Sequence, residues 1–353
     1  MITLAVQAAY RLNLNDAAAL KKETIQMRAW RFHEPGNIAN LVLEEVDTPP
    51  LNIGEALVRL ECAALNPADR YLVQGQYPRA GAPPFTPGRD GAGTVVEVGP
   101  DSRFTPGDKV CLLGGGLTGV SLPGTLAEYA PLPEAWLAPI PDAWTFEQAA
   151  TTLTSLTAWR ALEICGGLQS NDTVLVTGAS GGVGVAAVFL AKALGARIVA
   201  LSRSAEKRKN LIALGADAAI DTESSTLEKE VRAAAGDQPI SLVIENLGGP
   251  YLEKSVRMVA PEGRIMVIGL LADLTATVTI GLLIHKNIRI QGMSVNNFKA
   301  KEAQDAWTKI VDLYNANHHR PPISQVFPFA QVQEAFAHLQ AGPMGKVLVR
   351  CSA

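Results

Sequence analysis

The stretch "TVLVTGASGGVGVAAVFLAKALGA" (173–196) carries the most specific chemistry in the chain. A short apolar strand runs into Gly178, Gly181, Gly182 and Gly184, and a helix opens inside that run. The spacing Ala179-x-Gly181-x-x-Gly184 is a variant of the pattern that lets backbone approach a pyrophosphate, which the free N–H groups of the helix start then stabilise. Ala179, Ser180, Gly181, Gly182, Val183 and Gly184 are therefore expected to line a dinucleotide. After the next strand comes "ALSRSAEKR" (200–208). A carboxylate there would suit the ribose hydroxyls of NAD, whereas Ser202, Arg203 and Lys207 offer a hydroxyl and cations to a 2′-phosphate, so NADPH is the expected cofactor. A second motif, "TPGRDGAG" (86–93), sets Arg89 and Asp90 among three glycines. The residues alone leave three readings open: a metal turn that has lost its ligands, a substrate-facing loop, or a salt-bridged corner.

The elements that must hold these motifs change character along the chain. From 27 to about 145, alternating apolar stretches such as "EALVRLECAAL" and "GTVVEVG" are cut by Gly and Pro, a β-rich texture. From about 147, "FEQAATTLTSLTAWRAL" has helical periodicity. Strands of about five residues then alternate with amphipathic helices: "TVLVTG", "RIVAL", "LVIEN" and "RIMVIG". This pattern predicts a parallel sheet covered on both faces, with Val183, Ala187, Leu190 and Leu194 as the sheet-facing side of the first helix. The remainder reads as a strand at 288–295, helices at 299–315 and 330–341, and a last strand "KVLVR" at 346–350. Composition leaves open which part this tail joins.

Bulk numbers set the class. With 353 residues, 48% hydrophobic and 18% charged, the chain is globular with two domains expected. A net charge of −3 without a basic block argues against nucleic acid, and no apolar run reaches membrane-span length. The four cysteines are scattered, with no pair spaced for zinc, and read as buried thiols of a reducing, cytoplasmic environment. Residues 1–26 are read as an extension without assigned function. "MITLAVQAAY" lacks the basic start of a signal peptide, and Asp16 and Glu23 argue against a transit segment.

From Met27 onward the chain resembles the medium-chain dehydrogenase/reductase superfamily, in its zinc-free, quinone-oxidoreductase-like (zeta-crystallin-like) branch. The residues that carry the resemblance are "ALNPADRYLVQGQYP", "TPGRDGAGTVVEVGP", "FTPGDKV", "TTLTSLTAWRAL", the glycine turn and "GKVLVR". It implies an α/β protein: a GroES-like β-rich catalytic domain (27–150), an inserted Rossmann domain with a doubly wound parallel sheet (151–292), and a tail (293–353) returning to the catalytic domain. Zinc-dependent relatives hold their metal at positions matching Asn66, Arg89 and Leu153, none of which can ligate zinc as thiolate and imidazole do, so no metal is expected. The resemblance implies that Asn66, Asp69, Tyr71 and Tyr77 line the catalytic cleft. It makes Tyr77 a candidate proton donor, matching the tyrosine of related enoyl thioester reductases, although a tyrosine at such a turn also often simply packs. It further implies cofactor contacts from Thr157, Asn246, Gly248, Gly269 and Lys346. Arg89 would lie near the cleft, meeting a substrate anion or a neighbouring acid.

The expected activity is NADPH-dependent, zinc-independent hydride transfer to activated alkenes, quinones or carbonyls. A zinc-free alcohol dehydrogenase and an NADPH-binding structural or RNA-binding crystallin-like protein are the alternatives. Relatives pair through the edge strand of the Rossmann sheet, so "NIRIQGMSV" (287–295) is expected to support a homodimer.

Overall fold

The computed structural model describes residues 25–77, 80–114 and 116–352. All but the last two residues of the expected extension (1–26) fall outside them.

Long alternation in "EALVRLECAAL" produces the central strand of the first sheet, β3 (Glu55–Leu65). Before it, β1 (Gln26–Arg31) and β2 (Val42–Asp47) form an antiparallel pair. The sheet around β3 includes β4 (Gly91–Val98), β5 (Lys109–Leu112), β6 (Tyr129–Pro133) and β7 (Leu137–Pro139). Its last members are β14 (Ile323–Pro328) and β15 (Lys346–Arg350), in the order β14-β15-β3-β4-β5-β7, with β6 also on β3. Antiparallel pairing sets Val347 opposite Leu65, which brings Lys346 to the end of β3.

The second sheet is parallel throughout: β8 (Thr173–Val176), β9 (Arg197–Leu201), β10 (Ala218–Ile220), β11 (Ile240–Glu245), β12 (Arg264–Val267) and β13 (Arg289–Gly292). Its order is β10-β9-β8-β11-β12-β13. The direction of winding reverses between β8 and β11, and the loops after their carboxyl ends face one crevice. β13 stops at Gly292, earlier than the apolar run to 295, because the chain turns into a 3-10 segment at Val295–Asn297.

Three helices matter for the site. α1 (Pro67–Val73) follows β3. The helix expected from about 147 is broken into α2 (Phe146–Ala149) and α3 (Thr152–Trp159). The break is at Thr151, whose hydroxyl donates to Gln148 O (2.8 Å) and replaces a backbone partner. α4 (Gly182–Ala193) follows the glycine turn. Its expected sheet face is buried at Ala187 and Leu190, and so are Val185, Val188 and Phe189 on other faces. A helix apolar all round is one covered on all sides. One core cluster contains Ala64 and Cys111 of the first sheet, Val174 and Ile244 of the second, and Trp307 of the tail, so the two sheets share packed interior.

Candidate active site

The end of β3 runs directly into α1, so Asn66 stands at the helix start and Asp69 one turn in. Asp69 accepts from Asn66 N (2.8 Å) and is fully buried. Its other oxygen has no partner among the described residues. Burial pushes its carboxyl up to about 6, against the pull of Arg89, the Asn66 N–H and Lys346. The Asn66 side chain faces elsewhere: its Oδ1 accepts from Lys346 Nζ (2.7 Å) and its Nδ2 donates to Asp90 Oδ2 (3.1 Å).

The paired charges of "TPGRDGAG" separate at once. Asp90, fully buried, forms an ion pair with Lys346 (3.1 Å) and accepts from Leu153 N (2.8 Å) and Thr152 Oγ1 (3.1 Å). Its carboxylate therefore caps the start of α3 from outside that helix, where an anion is stabilised. Arg89 takes no part in that pair. Its Nη1 donates to Tyr77 Oη (3.0 Å) and its Nη2 donates to Asn296 Oδ1. Asn296 Nδ2 donates to the same phenol oxygen (3.1 Å). The salt-bridged corner thus exists, but it joins Asp90 to Lys346 rather than to Arg89.

The structure brings Asn66, Asp69, Tyr77, Arg89, Asp90 and Lys346 into one neighbourhood. Tyr71 is left out, its ring lying under the Arg70 guanidinium (5.1 Å) with no polar contact at its hydroxyl among the described residues. Asn66, Arg89 and Leu153, which the resemblance sets at the zinc-ligand positions of zinc-dependent relatives, carry an amide, a guanidinium and an alkyl chain, with the first two engaged as above. No group of three or more His, Cys, Asp or Glu among the described residues is gathered to hold a metal ion. Cys62 and Cys111 are buried, and burial pushes the Cys62 thiol up to about 12, so it is no nucleophile.

The glycine turn lies across the crevice. A Cβ at Gly184 would fall 2.4 Å from Gly178 O, so the turn closes only with glycine there. At Gly181 a Cβ would meet nothing nearer than 3.5 Å. The first N–H groups of α4 receive no side-chain cap from Gly181. Asn246, just past β11, is oriented by Thr177 through N (to Oγ1, 2.9 Å) and Nδ2 (to O, 2.8 Å), and its Oδ1 is buried without a partner among the described residues. An open turn, an uncapped helix start and an orphaned acceptor fit a dinucleotide. Gly269 closes the neighbouring strand end, since a Cβ there would lie 2.0 Å from Asn246 O. Gly248 forms a bridge with Asp273, and Thr157 turns its hydroxyl back to Leu153 O (2.6 Å).

The residues expected at a 2′-phosphate follow β9 and reach into the start of the next helix. Ser202 is buried with Oγ 3.5 Å from Ser180 Oγ. Arg203 is exposed and makes no side-chain hydrogen bond or ion pair among the described residues, and Lys207 Nζ donates to Gly342 O. Lys346, expected at a cofactor phosphate, directs its ammonium to Leu65 O (3.1 Å), Asn66 and Asp90, while its stem passes the turn close to Gly182.

Residues 52–142 match the family described as "Alcohol dehydrogenase GroES-like domain", and residues 182–315 the family described as "Zinc-binding dehydrogenase". Over 318 residues the chain is 32% identical to "Quinone oxidoreductase-like protein 2" of Bos taurus, covering 88% of each. The chain belongs to the medium-chain dehydrogenase/reductase superfamily and is quinone-oxidoreductase-like. Among solved structures, an "NAD-dependent alcohol dehydrogenase" is similar at 30% identity and TM-score 0.84, covering 92% of this chain and 100% of that one. A mycobacterial protein solved in complex with NADPH is similar at 27% identity and TM-score 0.83, covering 92% and 99%.

Two partners were missed from the sequence. Asn296 lies just beyond β13, and since ligands of parallel sheets sit beyond the carboxyl ends of the strands, its place after the last parallel strand is a signal that could have found it. Glu245, fully buried, accepts from Thr177 Oγ1 (3.0 Å), Leu247 N (2.8 Å), Gly248 N (3.0 Å) and Ser255 Oγ (2.7 Å). It holds the loop that presents Asn246 and Gly248, and its place in an apolar strand gave no sign of that task.

Proposed function

We propose that this oxidoreductase transfers hydride from NADPH to activated alkenes and quinones without a metal. The carrying observation is the Tyr77 phenol: its oxygen is held by Arg89, a residue of the turn that carries a zinc ligand in zinc-dependent relatives. Ser202, Arg203 and Lys207 support NADPH by their chemistry, since a hydroxyl and two cations with no carboxylate suit a 2′-phosphate. The NADPH complex of the mycobacterial structure and the quinone oxidoreductase-like relative support the same reading.

When bound, the nicotinamide supplies hydride to an electrophilic carbon of the substrate. The residues of this chain do the rest. The N–H groups at the start of α4 hold the pyrophosphate, and Asn246 Oδ1 is an acceptor for the nicotinamide side. Tyr77 gives its proton to the enolate that an enone becomes, leaving the electron pair on the phenol oxygen, and water returns the proton. Pairing of two chains through the open edge of β13 completes the proposal.

Tyr77→Phe keeps the ring and removes the hydroxyl. NADPH affinity is expected to stay unchanged, and turnover of an enone to fall by about 10²–10⁴-fold, the usual worth of general acid catalysis. A quinone should lose much less, because its reduced oxyanion is a stabilised phenolate that takes its proton from water. An equal, mild loss on both substrates would mean that Tyr77 only packs the cleft.

A further inference from the structure

A hydroxyl has one hydrogen to give and two lone pairs to fill. At Tyr77 both acceptor positions are taken, by Arg89 Nη1 at 3.0 Å and Asn296 Nδ2 at 3.1 Å. The phenol hydrogen must therefore point away from both. The amide is locked in the sense this requires: a guanidinium can only donate, so Asn296 must turn its oxygen to Arg89 Nη2 and its NH₂ to Tyr77. The three side chains close a ring.

The charge in that ring is unusual. Arg89 is 4% exposed, and among the described residues no carboxylate forms an ion pair with it. Its Nε is also buried without a partner. A buried cation is ordinarily matched by an anion in contact. Here the atoms in contact are two neutral oxygens, Asn296 Oδ1 and the Tyr77 phenol, and the buried Asp69 carboxyl acts on Arg89 only without a hydrogen bond. The phenol oxygen becomes negative once its proton is given away. The ring members come from different places: Tyr77 and Arg89 from loops of the β-rich sheet, Asn296 from the 3-10 segment following the last parallel strand, where Ser294 Oγ accepts from Asn296 N (3.3 Å).

We propose that Arg89 and Asn296 are positioning residues for Tyr77, aiming its O–H into the cleft and stabilising the phenolate left after proton transfer. This rests on the reading of Tyr77 as proton donor. Because the ring joins both sides of the crevice, the donor is assembled only when the two sheets are brought together around the site.

The test is steady-state turnover of one enone and one quinone with NADPH, using Arg89→Met, Arg89→Lys and Asn296→Ala, each alone and combined with Tyr77→Phe. Arg89→Met and Asn296→Ala are each expected to lower kcat on the enone by about tenfold or more, the worth of one hydrogen bond to a charged group. KM for NADPH should move little, and the quinone should suffer a much smaller loss. Arg89→Lys keeps the charge and should recover part of the enone rate. In the Tyr77→Phe background neither Arg89→Met nor Asn296→Ala should lower enone turnover further. If the losses multiply, or if enone and quinone fall equally, the two residues merely join the sheets and the proposal is overturned, while the donor reading stands on the Tyr77→Phe loss alone. If Tyr77→Phe itself spares the enone, the donor reading fails and the proposal with it. Should Arg89→Met fail to fold, Asn296→Ala decides the matter, since it leaves every charge in place.

Discussion

At Asp69, burial and charge pull in opposite directions, and burial wins: the carboxyl rises from an ordinary value of 3.8 to about 6 despite Arg89, Lys346 and the Asn66 N–H. The folded chain then holds this proton more tightly than the unfolded one. Between about pH 4 and 6 the group lowers stability as pH rises, and above that window its contribution is constant. Asp69→Asn keeps an acceptor for Asn66 N and removes the titration. In denaturant unfolding, the variant should gain on the parent by about 2 kcal/mol between pH 4.5 and 7, and parallel curves would reject this. At this scale the sequence was partly legible. Asn66, Asp69 and Tyr77 were recognisable from "NPADRYLVQGQYP", and they do gather with Arg89. The partner of each charge was not legible, because Asp90–Lys346 and Arg89–Asn296 join residues far apart in the chain, and adjacency of Arg89 and Asp90 suggested a pair that does not form.

Elements decide where those charges go. β15 delivers Lys346 to the end of β3, and α3 offers its N-terminus to Asp90, so one carboxylate fastens the tail strand, the start of α1 and α3 together. Both partners are buried, with side-chain exposures of 4% and 0%. Removing one partner of such a pair strands the other, so Lys346→Met should lower unfolding stability by about 3–5 kcal/mol. Lys301→Met, at the exposed pair with Asp305, should cost less than about 1 kcal/mol. Equal effects in chemical unfolding would show that the buried pair fastens nothing. Strand and helix alternation from 173 onward was readable because fully apolar strands leave a strong pattern. The break at Thr151 was not readable, because threonines fit the helical period and only their hydroxyl bonds show that they interrupt it.

For the whole molecule, a parallel sheet and a β-rich sheet share core, and Lys346 links them at the site, its stem beside Gly182 of the glycine turn and its ammonium on Asn66. Among the described residues no helix is long and apolar enough to cross a membrane. The outer edge of β13 is exposed at all four residues, and in the segment that precedes it Leu274, Ile280 and Ile284 are 73%, 69% and 76% exposed. An open edge beside apolar side chains favours pairing with a second copy. Light scattering at micromolar concentration should give twice the mass of one chain, and Ile284→Glu with Ile290→Lys should halve it. A single-chain mass for the parent would remove the dimer. The most direct test of metal-free reduction by NADPH is to dialyse the purified protein against a chelator. NADPH oxidation and product formation are then followed together with an enone. One alkene should be saturated per NADPH consumed, at a rate unaffected by chelation and much slower with NADH. Activity that disappears with the chelator and returns with zinc, or no reduction of any enone or quinone, would contradict it.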